Sequence, residues 1–423
     1  MTKLFLSIFL CCAALSINAQ CDATKRPIVF IHGFLASGDT YAEQILRFKQ
    51  RLYCSNRLFV FDWNSVGGNG KKTDSLLSAF IDNVLAITKA TQIDLVGHSA
   101  GGGLGRGYLI DSVNALKVAH YVHLGSRKWF YELGWFPNKK CLNIYSSADM
   151  VMGKMGGDVE GANNLDLKDK DHYETATSAE TFQAMYNFFN DGKDESDIYA
   201  IFEKSLISGK AVLLGDNTPM VKATVLVHQL NSSTGQRLSK KPFAVFQTDN
   251  KGSWGSFIAD RKSGYEIELV PADSSQRTIS YFFEPFKEPN SYLYLRGFPK
   301  GNLIASMLGN LPAKNDQSLI IIFSSQKAVI AGRDSLSINN VTLSSPLLTP
   351  ASKTIISTFV FDDGDGITSG KPLKQFGAAP FLGGVDVSLP VSKKGIHTVY
   401  YNGRKLTLPA KSSKERIMLA VFN

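Results

Sequence analysis

Ser99 is the centre of the sequence GHSAG at residues 97–101, where a glycine stands two residues before the serine and two residues after it. The segment follows a short apolar run at residues 93–96 and precedes a helical pattern. A serine on a sharp turn from strand to helix exposes its hydroxyl, and the flanking glycines leave room for that turn. The helix N-terminus behind the serine stabilises developing negative charge. We therefore predict that Ser99 is a nucleophile for acyl transfer rather than a bystander in a glycine-rich turn.

The negative charge that forms in acyl transfer needs two backbone N–H donors. One comes from the residue after the nucleophile, which is Ala100, and the other from the loop after an early strand. The sequence FIHGF at residues 30–34 provides such a loop, and Gly33 lets its backbone approach the serine. We expect the Phe34 N–H to be the second donor and His32 to brace the loop without transferring protons.

A serine hydroxyl becomes a good nucleophile when a base takes its proton. With this kind of turn, the chain order is serine, then acid, then histidine. His172 lies after the serine, in a loop that precedes the last helix of the region, and is the expected base. The other histidines precede or adjoin the serine (His32, His98), lie in a predicted strand (His120, His123) or fall in later β segments (His228, His397).

The acid should stand at the end of the strand before the histidine loop. Asp149 ends the segment LNIYSSAD at residues 142–149 and is the expected acid, with Asp158, Asp166 and Asp171 as rivals in the following loop. A carboxylate there would hold the tautomer of His172 and stabilise its protonated form.

These side chains need a scaffold, and residues 22–192 predict one. Short apolar runs at residues 26–31, 58–63, 93–96, 117–124 and 142–146 alternate with helical patterns such as 74–88 and 179–189. Alternation at this spacing predicts a mostly parallel sheet with helices on both faces. Together with the strand–turn–helix context of Ser99, it favours the α/β-hydrolase fold.

The pattern changes after a charged stretch that we interpret as a linker at residues 193–206. Short strands separated by turns then follow, which predicts one or two all-β, sandwich-like domains. We place the first at residues 207–275 and a second, C-terminal β domain at residues 276–423. The sequence DDGDG at residues 362–366 lacks the full ligand series and the closing glutamate of a calcium loop, so a hairpin turn is favoured over a calcium site. No metal site and no cofactor are expected.

The first 19 residues have a positive start, an apolar run and a small residue at Ala19, which is typical of a secretory signal peptide. A membrane anchor would need about 20 apolar residues. Secretion is therefore expected, with a periplasmic or cell-surface location as variants and a lipid-modified Cys21 as an alternative. Cys21 and Cys54 are the predicted disulfide pair in that setting. The formal net charge is +9, but the basic residues are scattered, which argues against a nucleic-acid partner.

The segment RKWFYELGWF at residues 127–136 is unusually aromatic. Near the mouth of the site, Trp129, Phe130, Trp135 and Phe136 would contact acyl chains or a lipid–water interface. The alternative is an apolar loop that packs on the next domain.

Several of these segments resemble those of the small secreted lipases of bacilli, over about residues 25–190. The resemblance is carried by IYSSADM at residues 144–150, VAHYVHLG at 118–125, EGANN at 160–164, His32-Gly33 and Asp62-Trp63. It implies a minimal α/β hydrolase with a Ser–Asp–His triad, without a large lid, that acts on acylglycerols and simple esters. Ala100 departs from that family, which has a bulkier residue after the serine.

The region 207–271 resembles a carboxypeptidase-regulatory or transthyretin-like β-sandwich, through GKAV at residues 209–212, PMVKATVLV at 219–227 and TDNKG at 248–252. An α/β lipase followed by such β domains is similar to archaeal-type long-chain lipases. The resemblance implies β domains that present substrate or hold lipid, and a structural spacer is the alternative.

The sequence therefore predicts a secreted serine ester hydrolase, with a triacylglycerol lipase as the leading interpretation. A short-chain carboxylesterase or a polyester depolymerase would use the same triad. A protein of another class, which binds a lipid or glycan surface through its β domains, is the remaining alternative. The expected partner is an ester or lipid substrate, and no obligate protein partner is evident from the sequence.

Overall fold

The first half of the protein is built on a parallel β-sheet. The computed structural model describes residues 21–67, 70–192, 199–301, 303–308 and 311–423. Six strands form the sheet: β1 (Ile28–Ile31), β2 (Leu58–Phe61), β3 (Ile93–His98), β4 (Val118–Leu124), β5 (Cys141–Tyr145) and β6 (Asn163–Asp166). Their order is β2-β1-β3-β4-β5-β6, and each neighbouring pair is parallel.

Helices cover both faces of this sheet. They are α1 (Ala42–Gln50), α2 (Gly70–Thr88), α3 (Ala100–Ile110), α4 (Ser112–Ala115), α5 (Glu174–Thr177) and α6 (Ala179–Phe189). Successive side chains of a strand point to opposite faces, so Phe30 packs with Phe48 of α1 and Phe182 of α6, whereas Ile31 packs with Leu77 of α2. Burial on both faces explains why β1 and β3 are wholly buried along their length.

The strand register brings the functional loops to one edge of the sheet. Ile31 at the end of β1 pairs with Gly97 near the end of β3. His98 pairs in turn with Leu124, the last residue of β4, and Leu124 pairs with Ile144 of β5. The loops that follow these strands therefore leave the sheet side by side at its carboxyl edge, where open α/β sheets bind their ligands.

The second half consists of three β-sheets, a central one and two smaller ones that pack on its faces. Its strands are β7 (Ser205–Leu213), β8 (Thr224–Leu230), β9 (Ala244–Gln247), β10 (Ser253–Ala259), β11 (Gly264–Val270), β12 (Thr278–Phe283), β13 (Leu295–Gly297), β14 (Ile320–Ser324), β15 (Leu336–Ile338), β16 (Val341–Thr342), β17 (Ser357–Phe361), β18 (Leu382–Asp386), β19 (Ile396–Tyr401), β20 (Arg404–Pro409) and β21 (Arg416–Phe422). The one helix in the described part of this half is α7 (Leu303–Leu308). Single 3-10 turns complete the chain at Gly38–Tyr41, Ser55–Arg57, Asn138–Lys140, Gly153–Met155, Ala351–Lys353 and Lys374–Phe376.

The central sheet has eight strands in the order β18-β17-β14-β21-β12-β11-β8-β9. One of its faces packs on the three-stranded sheet β10-β7-β13, through residues such as Ile267, Leu419 and Trp254. The other face packs on the four-stranded sheet β16-β15-β19-β20, through residues such as Met418 and Val399. An α/β-hydrolase half is thus followed by layered β-sheets, as the sequence predicted.

The predicted boundary at residue 275 does not separate two sheets. It falls between β11 and β12, which pair with each other in the eight-stranded sheet, and β12 pairs in parallel with the C-terminal strand β21. The sequence could not show this pairing, because a parallel partner from the end of the chain leaves no local signal. The predicted linker also extends too far, because β7 begins at Ser205, and its residues 193–198 lie outside the described part of the chain.

The N-terminal end of the described chain is attached to the α/β half. Cys21 and Cys54 form a disulfide bond, and Cys141 is a buried free thiol in β5. The predicted signal peptide at residues 1–19 lies outside the described residues. Among the described residues, no helix has both the length and the apolar composition that crossing a membrane requires.

The continuous central sheet predicts cooperative unfolding of the whole β half. Ile267 in β11 and Ile321 in β14 lie on opposite sides of residue 275 but are buried in the same cluster. Replacing either residue by alanine removes core contacts worth roughly 2–5 kcal/mol. We expect Ile267→Ala and Ile321→Ala to shift one shared transition of the β half in scanning calorimetry. Two transitions, each moved by only one variant, would contradict a single folding unit.

Candidate active site

Ser99 lies on a strained turn between β3 and α3. Its backbone has φ 53° and ψ −120°, in the left-handed half of the map that side-chain-bearing residues seldom adopt. The turn is tight on both sides. A Cβ added to Gly97 would lie 2.5 Å from the Gly101 carbonyl oxygen, and one added to Gly101 would lie 2.4 Å from the carbonyl oxygens of Ile31 and His32. Both positions therefore require glycine.

The structure brings Ser99, His172 and Asp149 together in a line of hydrogen bonds. The Nε2 atom of His172 lies 2.9 Å from Ser99 Oγ, and Nδ1 of the same ring lies 2.7 Å from Asp149 Oδ2. His172 and Asp149 are buried, whereas Ser99 is half-buried. When Nδ1 carries the ring proton and donates a hydrogen bond to the Asp149 carboxylate, Nε2 is unprotonated and can accept the proton of the serine hydroxyl.

The surroundings of Asp149 favour its ionised form. Burial by itself raises the pKa of this carboxyl group, but the hydrogen bond from His172 and the N–H groups of Met152 and Val151 outweigh burial and lower the pKa below its usual value. Asp149 is therefore a carboxylate at neutral pH and stabilises positive charge on the imidazole.

The three rival acids have other partners. Asp158 accepts a hydrogen bond from the Tyr145 hydroxyl at 2.8 Å, and Asp166 accepts one from the Ser147 N–H at 2.8 Å. Asp171 adjoins His172 in the chain, but its carboxylate pairs with Arg333. Only Asp149, of these four carboxylates, contacts the imidazole of His172.

The loop after β1 packs directly against the serine. A Cβ added to Gly33 would lie 3.1 Å from Ser99 Cβ. The next residue is Phe34, while Ala100 is the first residue of α3, where N–H groups have no partner within the helix. The two expected N–H donors thus stand on backbone segments that meet at Ser99.

His32 lies in this loop as a structural residue. Its Nδ1 lies 2.9 Å from the Gly33 carbonyl oxygen, and its Nε2 lies 3.2 Å from the Trp63 backbone nitrogen. Burial lowers the pKa of His32, so the ring is neutral at neutral pH. It contacts the backbone on both sides, which fits the bracing role expected from the sequence.

Three further side chains around the site were not singled out by the sequence. The carbonyl oxygen of His172 accepts hydrogen bonds from His98 Nε2 at 2.9 Å and from Thr175 Oγ1 at 2.7 Å, and the Ser126 hydroxyl donates to the Ser99 carbonyl oxygen at 2.7 Å. Burial lowers the pKa of His98 to about 3, so its ring stays neutral. Position 98 within the GHSAG sequence was the one available signal, because no short pattern marks Ser126, in the loop after β4, or Thr175, in the single turn of α5.

A largely apolar cavity lies between the two halves, beside this site. Its volume is about 110 Å³. The wall on the α/β side includes Leu35 and Ala36, which follow the Phe34 loop, and Tyr173, which follows His172. The wall on the β side is formed by the central sheet and its connections, with side chains that include Leu214, Phe298, Ile321, Phe359, Phe381 and Leu419.

The aromatic segment 127–136 divides into buried and exposed rings. Trp129 and Phe136 are 2% and 1% exposed and belong to the core of the α/β half, so the prediction that they bind substrate is wrong. They also do not pack on the next domain, because that cluster contains residues of the α/β half. Phe130 and Trp135 are 69% and 72% exposed, on the loop that leaves the carboxyl end of β4. None of the four rings lines the cavity between the halves.

The acidic sequence at residues 362–366 forms a turn, but not a hairpin turn. It follows β17, and the next strand, β18, runs parallel to β17. The Asp362 carboxylate accepts hydrogen bonds from the N–H groups of Gly364 and Gly366. Carboxylate oxygens of Asp362, Asp363 and Asp365 lie within 4.8 Å of one another.

Family models match three parts of the chain. Residues 26–138 match the alpha/beta hydrolase fold, residues 203–299 match the Lipase C-terminal domain, and residues 318–419 match a further C-terminal domain. The second match covers the region in which a carboxypeptidase-regulatory or transthyretin-like domain is expected, and it crosses residue 275, as the central sheet does.

Solved structures with low identity are also similar to the chain. A lipase from Bacillus licheniformis is 16% identical and covers 40% of this chain and 94% of its own, with a TM-score of 0.32. A predicted CIB-like hydrolase from Thermoplasma acidophilum is 16% identical, with 40% and 88% covered and a TM-score of 0.32. An esterase from a Rhodococcus species is 14% identical, with 40% and 92% covered and a TM-score of 0.31. Taken with the parallel sheet and the turn at Ser99, the family match establishes that the first half has the α/β-hydrolase fold and that a lipase-type C-terminal domain follows it.

Proposed function

We propose that the protein is a secreted serine ester hydrolase that acts on lipid esters, a triacylglycerol lipase. The observation that carries this proposal is the imidazole of His172, which lies within hydrogen-bonding distance of both Ser99 Oγ and Asp149 Oδ2. A hydroxyl, a neutral imidazole and a carboxylate in this order activate a serine for attack on an acyl carbon.

The reaction follows from this geometry. His172 Nε2 takes the hydroxyl proton as Ser99 Oγ bonds to the ester carbonyl carbon, and the N–H groups of Phe34 and Ala100 stabilise the resulting oxyanion. The protonated imidazole, stabilised by Asp149, then gives its proton to the departing alcohol. Water, deprotonated by His172, releases the acid from Ser99 in a second cycle of the same steps.

Three observations support a lipid ester as the substrate. The cavity beside the site has an apolar lining that suits an acyl chain. Phe130 and Trp135 are exposed on a loop at the carboxyl edge of the sheet, where they can contact a lipid surface. The β half matches the Lipase C-terminal domain over residues 203–299.

Secretion is supported by the leader-like first 19 residues and by the Cys21–Cys54 disulfide, a bond typical of oxidising compartments.

The nucleophile can be tested by covalent labelling. A fluorophosphonate ester should label the wild type and the Ser147→Ala control, in which an exposed serine of the same half is removed. The Ser99→Ala variant should not be labelled and should lose activity by roughly 10⁴-fold or more, because no other hydroxyl replaces Ser99 beside His172. Labelling that persists in Ser99→Ala, measured by mass spectrometry of the modified peptide, would exclude the proposed mechanism.

The acid can be tested by comparing two aspartates. Asp149→Asn should lower kcat roughly 10³- to 10⁴-fold with little change in stability, because an amide does not hold the Nδ1–H tautomer of His172. Asp158→Asn is the matched control, since its carboxylate contacts Tyr145, and it should retain kcat. The opposite result for the two variants would assign the acid to Asp158.

The role of the cavity can be tested through chain length. Ser357 lines the cavity on the β side, so Ser357→Phe should fill part of it. We expect the rate on p-nitrophenyl palmitate and on emulsified triolein to fall about tenfold or more, while the rate on p-nitrophenyl butyrate stays within about twofold. The control is Thr342→Phe, at an exposed position of another sheet. A wild type that hydrolyses only the butyrate ester would be a short-chain carboxylesterase and would contradict the lipase proposal.

A further inference from the structure

The loop that carries His172 is held by an arginine from the β half. Arg333 Nη2 lies 2.9 Å from Asp171 Oδ2, and Arg333 Nη1 lies 2.7 Å from Glu174 Oε2. The same oxygen of Asp171 accepts the Ala328 N–H at 3.0 Å. These acidic residues flank His172 in the chain, so the β half is attached to the histidine loop both before and after His172.

Asp171 transmits this attachment to the backbone of the loop. It is buried, and its Oδ1 accepts the N–H groups of Tyr173 and Glu174 at 2.9 Å each. One carboxylate thus joins Arg333 to the start of α5, immediately after His172. Burial and the neighbouring Asp171 carboxylate raise the pKa of Glu174 to about 7, and the Arg333 guanidinium opposes this shift.

The imidazole itself is covered by a ring from the β half. Phe381 stacks on His172 with 5.8 Å between ring centroids and 14° between ring planes. Its backbone has φ 63°, and its carbonyl oxygen accepts the Ile356 N–H at 3.0 Å. Phe381 also lines the cavity between the halves, so the same ring contacts both His172 and that space.

The loop on the other side of the serine is held in the same way. Asn217, a buried residue of the β half, lies with its Nδ2 3.0 Å from the Ala36 carbonyl oxygen and 2.9 Å from the Trp63 carbonyl oxygen. The same nitrogen lies 3.2 Å from His32 Nε2, and the Ser37 hydroxyl donates to Asn217 Oδ1. The asparagine therefore contacts the loop that contains the proposed Phe34 donor.

We propose that Arg333, Phe381 and Asn217 are positioning residues, through which the β half aligns the base and the oxyanion loop with Ser99. This inference rests on the proposed function and adds that the β half acts on the chemical step as well as on substrate binding. A displacement of about 1 Å in a reacting group can cost about 100-fold in rate, so small changes at these contacts become measurable.

The test uses the full-length protein with Arg333→Met, Arg333→Lys, Phe381→Ala and Asn217→Ala, assayed on p-nitrophenyl butyrate. This ester is soluble and short, so loss of lipid binding does not affect it. We expect kcat to fall about tenfold or more in Arg333→Met, Phe381→Ala and Asn217→Ala, with KM within about twofold of the wild type. Arg333→Lys keeps the charge and should restore part of kcat. Arg404→Met removes a different arginine, which pairs with Glu284 in the β half, and should keep kcat unchanged.

Folding and positioning are separated by two further measurements. Each variant is assayed at a temperature at which urea unfolding shows it to be folded. The double variant Arg333→Met/Asp171→Asn removes the buried charge that the single variant leaves unpaired, so it restores stability but not kcat. The downfield proton resonance of the His172 Nδ1–H bonded to Asp149 should weaken in Arg333→Met and Phe381→Ala, a readout that does not depend on the substrate.

Several results would overturn the positioning role. One is an unchanged kcat together with an unchanged His172 resonance in folded Arg333→Met and Phe381→Ala. Another is a raised KM with kcat intact, which would assign these residues to substrate binding. An equal loss of kcat in Arg404→Met would also do so. Failure of the proposed function looks different, because the wild type itself would then neither hydrolyse the ester nor be labelled at Ser99, while the resonance would still report on the alignment of His172.

Discussion

The structure around the site depends on one close backbone contact, between the turn at Ser99 and the end of β1. Gly101 lies so near the carbonyl oxygens of Ile31 and His32 that a Cβ would overlap them, and Gly97 lies equally near Gly101 itself. This approach forces Ser99 into its strained conformation and places the start of α3 beside the loop of Gly33. The strain persists because β1 and β3 are buried neighbours in the sheet, and their pairing determines where the turn can lie. The position of the Ser99 hydroxyl is therefore a consequence of strand packing. His172 and the two N–H donors only need to be placed next to a hydroxyl whose position is already fixed.

Those partners stand on irregular loops, which a strand ladder does not fix. The loop of Asp149 is held by hydrogen bonds to its own N–H groups, but the loops of His172 and Phe34 depend on the other half of the protein. Ion pairs across the same interface, Lys210 with Asp62 and Arg296 with Asp39, attach β7 and β13 to the α/β half. Charged and amide groups in such an interface must find partners, since an unpaired buried polar group is costly. The interface thus favours one arrangement of the loops, which is also the arrangement in which His172 meets Ser99.

The sequence predicted those features that local order determines. Ser99 was found from a five-residue pattern after a strand, and Asp149 and His172 were found from their order along the chain; the structure brings the three together. Prediction from the local sequence fails where the packing partner of a residue or strand lies far away in the chain. The boundary at residue 275 was drawn without the pairing of β12 with β21, which lies more than a hundred residues later in the chain. Trp129 and Phe136 were wrong because an irregular loop has no period that tells buried rings from exposed ones. Asn217, Arg333 and Phe381 lie far from Ser99 in the sequence, and no short pattern marks them.

The charged groups around His172 come from both halves of the protein. Asp149 and Asp171 are both buried; Asp149 contacts the imidazole of His172, and Asp171 adjoins His172 in the chain. Asp149 needs its negative charge, because it stabilises the imidazolium in the transition state. Asp171 needs its own to hold the N–H groups of Tyr173 and Glu174. The guanidinium of Arg333 offsets the charge of Asp171, while His98 stays neutral and donates only a hydrogen bond. One carboxylate thereby contacts His172, and the other is paired with a cation that the β half provides.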